Sequence, residues 1–183
     1  VADLDSESLV AFEFGYRTKN MNVAVFRQTT RNLILRDSEG FNVSDGETES
    51  FGVELEVQRV IGKHTLTLAT SYAVHEYAFD QLLGGGEIIM DGNEVDTAPR
   101  WLGNLRWQTQ FTESLQHELE LNVVGEHYVN ASNTAKYDGH FVLNWRGQWQ
   151  IDERTRVFAR LINVLDERYA DRADFAFGSH RYF

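Results

Sequence analysis

Phe51-Gly52-Val53-Glu54-Leu55-Glu56-Val57-Gln58 alternates strictly: Phe51, Val53, Leu55 and Val57 are set against Gly52, Glu54, Glu56 and Gln58. Successive side chains of an extended backbone point to opposite faces, so this stretch reads as a strand with one apolar and one wet face. The same design recurs about eight times along the chain. Upstream, Val10, Phe12, Phe14 and Tyr16 oppose Glu13, Gly15 and Arg17. Downstream, Leu66, Leu68, Tyr72 and Val74 oppose Thr65, Thr67, Ser71 and His75. Leu105, Trp107 and Phe111 then oppose Asn104, Arg106 and Gln108, and Leu119, Leu121 and Val123 oppose Glu118, Glu120 and Asn122. Phe141, Leu143, Trp145, Trp149 and Ile151 face away from His140, Asn144, Arg146, Gln148 and Gln150, as Val157, Ala159 and Leu161 do from Arg156 and Arg160. The segment from Met21 to Arg36 is extended, but its facing stays open because Val23, Ala24, Val25 and Phe26 are all apolar.

The connections alternate short and long. Lys19-Asn20, Ile61-Gly62-Lys63, Thr112-Glu113-Ser114 and Asp152-Glu153-Arg154 read as tight polar turns, whereas Asp37 to Glu47, Phe79 to Ala98 and Val129 to Tyr137 read as long loops. Outer-membrane barrels show this asymmetry, with short periplasmic turns and long extracellular loops. The single proline, Pro99, falls at a strand start, where a missing N–H does least harm. Helical periodicity is absent, and no linker, second domain or low-complexity tract interrupts the pattern.

Composition narrows the function classes. Hydrophobic residues make up 42% of the 183, and no apolar run approaches the roughly 18 that a spanning helix needs. A spanning strand needs only about 9 to 11 residues, half of them polar, so the membrane stays open. A net charge of −11 argues against nucleic acid as a partner. With no cysteine there are no disulfides, thiolate metal sites or cysteine nucleophiles. Asp3, Asp5 and Glu7 stand where a signal peptide would be basic and then apolar. No H-E-x-x-H, paired-histidine or G-x-S-x-G pattern occurs, so no enzyme, resident cofactor or metal site is expected. Gly84-Gly85-Gly86 lacks the Lys-Ser/Thr of a phosphate loop and reads as flexible loop.

Alternation alone does not say which face looks inward, since a soluble barrel or sandwich hides its apolar face and a membrane barrel gives it to lipid. Trp101, Trp107, Trp145, Trp149, Tyr72 and Phe111 lie near strand ends, as interfacial girdles require, and several segments exceed the usual 5 or so residues of a soluble strand.

Leu161-Ile162-Asn163-Val164-Leu165-Asp166-Glu167-Arg168-Tyr169 resembles the signature near the C-terminus of TonB-dependent receptors, with Asn163, Asp166, Arg168 and Tyr169 at its characteristic positions. Gly52-Val53-Glu54-Leu55-Glu56 resembles the family's G-x-E-x-E strand, Pro99-Arg100-Trp101-Leu102-Gly103-Asn104 its P-x-x-x-x-N strand entry, and Glu13-Phe14-Gly15-Tyr16 its E-x-G-Y strand at altered spacing. The resemblance implies an all-β fold: about eight consecutive antiparallel meander strands of a transmembrane barrel of about 22. Turn parity would make them strands ~14 to ~21, with residues 1–183 a partial barrel. A plug domain and TonB-recruiting motif would precede Val1. Phe183 tempts comparison with a C-terminal barrel aromatic, but Arg181 and Ser179 break the alternation, so the closing strand would lie beyond it.

The family's function follows as an expectation: energised import of a scarce ligand, a ferric siderophore or other metal complex, across a Gram-negative outer membrane. Lipid, the TonB complex and a metal chelate would be its partners. Lumen-facing candidates are Glu54, Glu56, Arg106, Glu118, Glu120, Arg146, Arg156 and Arg160, expected to pair across strands or hold the plug. His75, His127 and His140, near outward strand ends, are the loop candidates for ligand contact. Acidic stretches at Asp37 to Glu39, Asp91 to Asp96 and Asp171 to Asp174 would bias capture toward cationic or metal-bearing ligands. Two other architectures fit the alternation: a complete eight-stranded outer-membrane barrel, which requires its first and last strands to pair, and a soluble β-sandwich binding module.

Overall fold

The computed structural model describes residues 4–169. Val1, Asp3, the acidic stretch 171–174 and the ending Arg181 to Phe183 therefore fall outside the described residues. The strands are β1 (Ser8–Arg17), β2 (Met21–Arg36), β3 (Asn42–Ile61), β4 (His64–Tyr77), β5 (Gln81–Leu82), β6 (Ile88–Ile89), β7 (Trp101–Gln110), β8 (Leu115–Val124), β9 (His127–Tyr128), β10 (Lys136–Tyr137), β11 (His140–Gln150) and β12 (Arg156–Leu161). Eight of them form one antiparallel meander, β1-β2-β3-β4-β7-β8-β11-β12, and β5-β6 and β9-β10 are small hairpins within loops. Among the described residues β1 and β12 each pair on one side only, so the sheet does not close on itself as an eight-stranded barrel would. Nor, among the described residues, does a second large sheet pack against it as a sandwich requires.

The sheet curves toward its polar side. Asn22 on β2 and Asn122 on β8, four strands apart in the sheet, line the same groove. The crowded side chains confirm the hand of the curve: Ser50, Thr67, Glu118 and Asn144 are buried on the concave face, while Phe12, Phe14, Phe51, Trp101 and Trp149 are exposed on the convex one. A soluble domain would reverse this arrangement, because burying polar groups while wetting large aromatics costs free energy on both counts.

Register settles the facing of β2. Val23 and Val25 lie opposite Leu55 and Val53 on the convex face, and Ala24 and Phe26 point inward opposite Glu54 and Gly52. Phe26 can turn inward because Gly52 has no side chain; a Cβ there would meet the Phe26 ring at 2.5 Å.

The convex face of β3 carries its own ruler. Ion pairs Arg27–Glu49 (3.0 Å) and Arg31–Glu47 (3.4 Å) sit above Phe51, Val53, Leu55 and Val57, and Arg59 follows below. From Glu49 to Arg59, about ten residues at ~3.4 Å rise and ~40° tilt span ~26 Å, close to the ~25 Å apolar band of an outer-membrane barrel.

Two sequence expectations need correcting. The loop expected from Asp37 to Glu47 shrinks to a turn, because β2 and β3 continue to Arg36 and Asn42. The ladder survives there through bulges around Leu33, with Asn32 at φ 57°, and its upper part rises beyond the apolar band. The glycines at 84–86 form a short 3-10 turn capping the β5-β6 hairpin rather than a loose tract.

Candidate functional site

The concave face holds the polar candidates in two unlike groups. Glu54 and Glu56 project into a groove of about 460 Å³ shared with Asn22, Ser71, Asn104 and Asn122. Both carboxylates are exposed to the groove, and among the described residues neither makes an ion pair or a side-chain hydrogen bond.

Across β8 and β11 the carboxylates are instead fully engaged. Arg146 donates from Nη1 to Glu118 (2.7 Å) and from Nη2 to Glu120 (2.8 Å), bridging both acids. Gln108 donates to Glu118 (2.7 Å), and Asn104 and Asn144 donate to Glu120 (3.2 and 3.4 Å). The cause is register: Glu118 and Glu120 lie opposite Arg146 and Asn144 on one side and Gln108 and Arg106 on the other. Charge-assisted bonds of this kind are the stronger ones.

Arg106 does not join that network as the sequence predicts. It stands opposite Glu120, yet it makes no ion pair among the described residues and its Nε is buried without a hydrogen-bond partner. Arg156 donates to Gln150 (2.7 Å) rather than to an acid, and Arg160, opposite Arg146, is exposed and forms no ion pair among the described residues. Phe158, between these two arginines on the concave face, is 80% exposed. Of the candidates expected to pair across strands or hold the plug, Glu118, Glu120 and Arg146 are brought together, while Glu54, Glu56, Arg106, Arg156 and Arg160 form no ion pair among the described residues.

At the mouth, the three candidate histidines divide. His75 points to the concave side and shares a 2.7 Å hydrogen bond with the buried Ser50. His127 and His140 belong to a ladder of rings: His127 lies 5.3 Å from Tyr137, whose hydroxyl is 2.9 Å from His140 Nδ1, and His140 stacks on Tyr169 at 4.5 Å and 19°. Tyr169 thereby gains a role that its signature position did not reveal. The rest of the signature is local: the Asn163 side chain accepts from the Glu167 N–H and donates to its carbonyl, both at 2.9 Å, closing the turn after β12. Asp166 takes φ 53°, a conformation that aspartate tolerates, and Asp166 and Arg168 are exposed.

The two long loops form one folded platform. Tyr77, Ile89 and Ala131 make a small core with Phe79, Leu83 and Val95 against it. Asn133 latches the loops: its Oδ1 accepts from the Glu94 N–H (2.7 Å) and its Nδ2 donates to the Glu94 carbonyl (2.8 Å). Glu94 also takes both Arg100 donors at 2.7 Å, which holds the Arg100 guanidinium above its ordinary range. Tyr77 donates to Asp96 (2.8 Å). Sequence reading missed Tyr137 and Asn133, and it placed Glu94 only within the acidic stretch Asp91 to Asp96, not as a latch. Their side chains meet across 39 or more positions or through turns without periodicity, and no local pattern signals such contacts.

A curved antiparallel wall, apolar outside and polar inside, topped by folded loops on one end and tight turns on the other, defines a segment of a large outer-membrane β-barrel. The family model described as TonB dependent receptor-like, beta-barrel matches residues 1–164, and the chain belongs to that family. Solved structures agree in fold. The ferric yersiniabactin uptake receptor FyuA from Yersinia pestis matches with a TM-score of 0.76 at 23% identity, over 95% of this chain and 27% of that one. The siderophore receptor PiuA from Acinetobacter baumannii gives 0.75 at 17%, over 93% and 26%. The copper transporter OprC gives 0.67 at 13%, over 96% and 28%. The chain therefore spans about a quarter of the length of the structures it resembles. A search of the curated proteins gives no match.

Proposed function

We propose that this chain is barrel wall and extracellular mouth of a receptor that imports a scarce metal chelate, a ferric siderophore first, across a Gram-negative outer membrane by TonB-dependent transport. The observation that carries the reading is the mouth itself. The His127–Tyr137–His140–Tyr169 ladder, with one stacked and two inclined ring contacts, presents aromatic faces and imidazoles beside a braced loop platform, which suits the mixed apolar and oxygen-rich surface of a chelate. Relatives in fold include receptors for ferric yersiniabactin and a copper transporter, which supports a metal-bearing cargo.

In this reading the plug and the TonB contact belong to the N-terminal part of a complete receptor, and the unpaired Glu54 and Glu56 hold basic side chains of the plug. Opposite charge inside a wet, partly enclosed groove fixes register more than it adds affinity. The test is growth of a strain lacking its own ferric-chelate receptors. The full-length gene should restore growth on one or more ferric siderophores, and His140→Ala with Tyr137→Phe should weaken that rescue. No rescue on iron, copper or cobalamin sources would overturn the proposal.

A further inference from the structure

The outer face near the short turns is not smooth. Register places Leu115, Trp149 and Val157 in the row next to the turns, and Leu119, Trp145 and Leu161 in a parallel row farther into the apolar band. Between these bulky rows stand His117, Gly147 and Ala159. Large side chains flanking Gly147 and Ala159 leave a cleft of about 240 Å³, predominantly apolar, walled by Phe111, His117, Trp145, Trp149 and Val157. Its walls are braced. The Trp145 indole lies along its own strand over Gly147, where a Cβ would stand 2.6 Å from the ring, and Phe111 sits 4.5 Å from the His117 ring.

We propose that this cleft holds one acyl chain of a phospholipid from the periplasmic leaflet. The inference rests on the reading of the chain as membrane-spanning wall. Three arguments select the occupant. The cleft opens on the face that the apolar band gives to lipid, where water is excluded. It lies at the end of the sheet that carries the short turns, which is the periplasmic interface in such barrels. Its volume falls short of the roughly 300 Å³ at which pockets for drug-sized ligands begin, so it suits a stretch of one flexible chain rather than a compact ligand. An unfilled cleft would forfeit dispersion contacts along every wall, and a chain lying over Ala159 beside the Trp145 indole restores them.

The test uses the full-length receptor in nanodiscs containing phosphatidylethanolamine with a photoactivatable group on one acyl chain. Labelling should concentrate at Phe111, Trp145 and Trp149 beyond that of the flat outer row at Phe12 and Phe14. Ala159→Leu should fill the cleft and cut labelling there about fourfold, roughly one methylene's worth of lost lipid contact, while leaving Phe12 and Phe14 unchanged. Heat-modifiable migration checks folding, and Ala159→Val, a smaller step, should give an intermediate loss. Equal labelling at both places, insensitive to both variants, means bulk lipid only and overturns the cleft. No labelling at either place overturns the membrane-wall reading itself.

Discussion

Two stretches of one concave wall carry carboxylates in opposite condition. Glu118 and Glu120 are bridged by one guanidinium and tied by three amides, whereas Glu54 and Glu56, a few strands away, face a polar groove with no charge partner among the described residues. Both pairs occupy alternate positions on a strand and looked alike in the sequence. What separates them is the neighbouring strand: β11 places Arg146 beside Glu118 and Glu120, and β2 and β4 place Asn22, Ala24, Ala69 and Ser71 beside Glu54 and Glu56. The first arrangement stabilises the wall, and the second leaves charge for something the wall encloses.

The comparison can be broken most directly at Arg146. Arg146→Ala should destabilise the barrel by about 2–3 kcal/mol, read from denaturant unfolding in detergent, because it strands two adjacent acids that are largely buried. The value sits below the range for fully buried pairs because the Arg146 side chain is 42% exposed. Adding Glu118→Gln and Glu120→Gln should recover most of the loss. An unchanged midpoint for Arg146→Ala would show that the network is ornamental.

The opposite result is expected on the other side. Glu54→Gln with Glu56→Gln should shift barrel stability by no more than about 0.5 kcal/mol, the usual scale for exposed charges. In the full-length receptor the same pair should make the plug more susceptible to limited proteolysis. If barrel stability falls as far as with Arg146→Ala, the two groups do not differ.

A third contrast sets loops against wall. Asn133→Ala removes two hydrogen bonds to Glu94 and a side chain suited to φ 54°, so the loop platform should loosen by about 1 kcal/mol. Hydrogen exchange should then rise at Glu94 and Thr97 with β7 and β8 unaffected. The smallest effect belongs to the turn between β11 and β12. Asp152 accepts the Arg154 and Thr155 N–H groups at 2.8 and 2.9 Å, and the Arg154 bond is the main cause of its lowered pKa. A depressed carboxylate pKa contributes stability above the unfolded value of ~3.9 and loses it as pH falls through the lower folded one. The gap in unfolding temperature between wild type and Asp152→Asn should thus be present at neutral pH and vanish in acid.

Much of this was legible in the residues. Alternation at Phe51 to Gln58 assigned the faces of β3, and the turns at Gly62, Thr112 and Asp152 placed the strand ends. The outcome at Met21 to Arg36 was not legible, because four successive apolar residues satisfy either facing and only Gly52 across the ladder admits Phe26 inward. Likewise His127 and His140 could be named as candidates, but not the Tyr137 that links them.

The sequence by itself determined the main strands, the two-sided polarity of all of them but β2, and the resemblance to the family, because a period of two and a signature turn are local properties of the chain. Only the tertiary structure decided which carboxylates are neutralised, which loops brace each other, and where the outer face is notched. Those depend on which strand lies beside which and at what register, and hydrogen-bonded neighbours in a curved sheet set both.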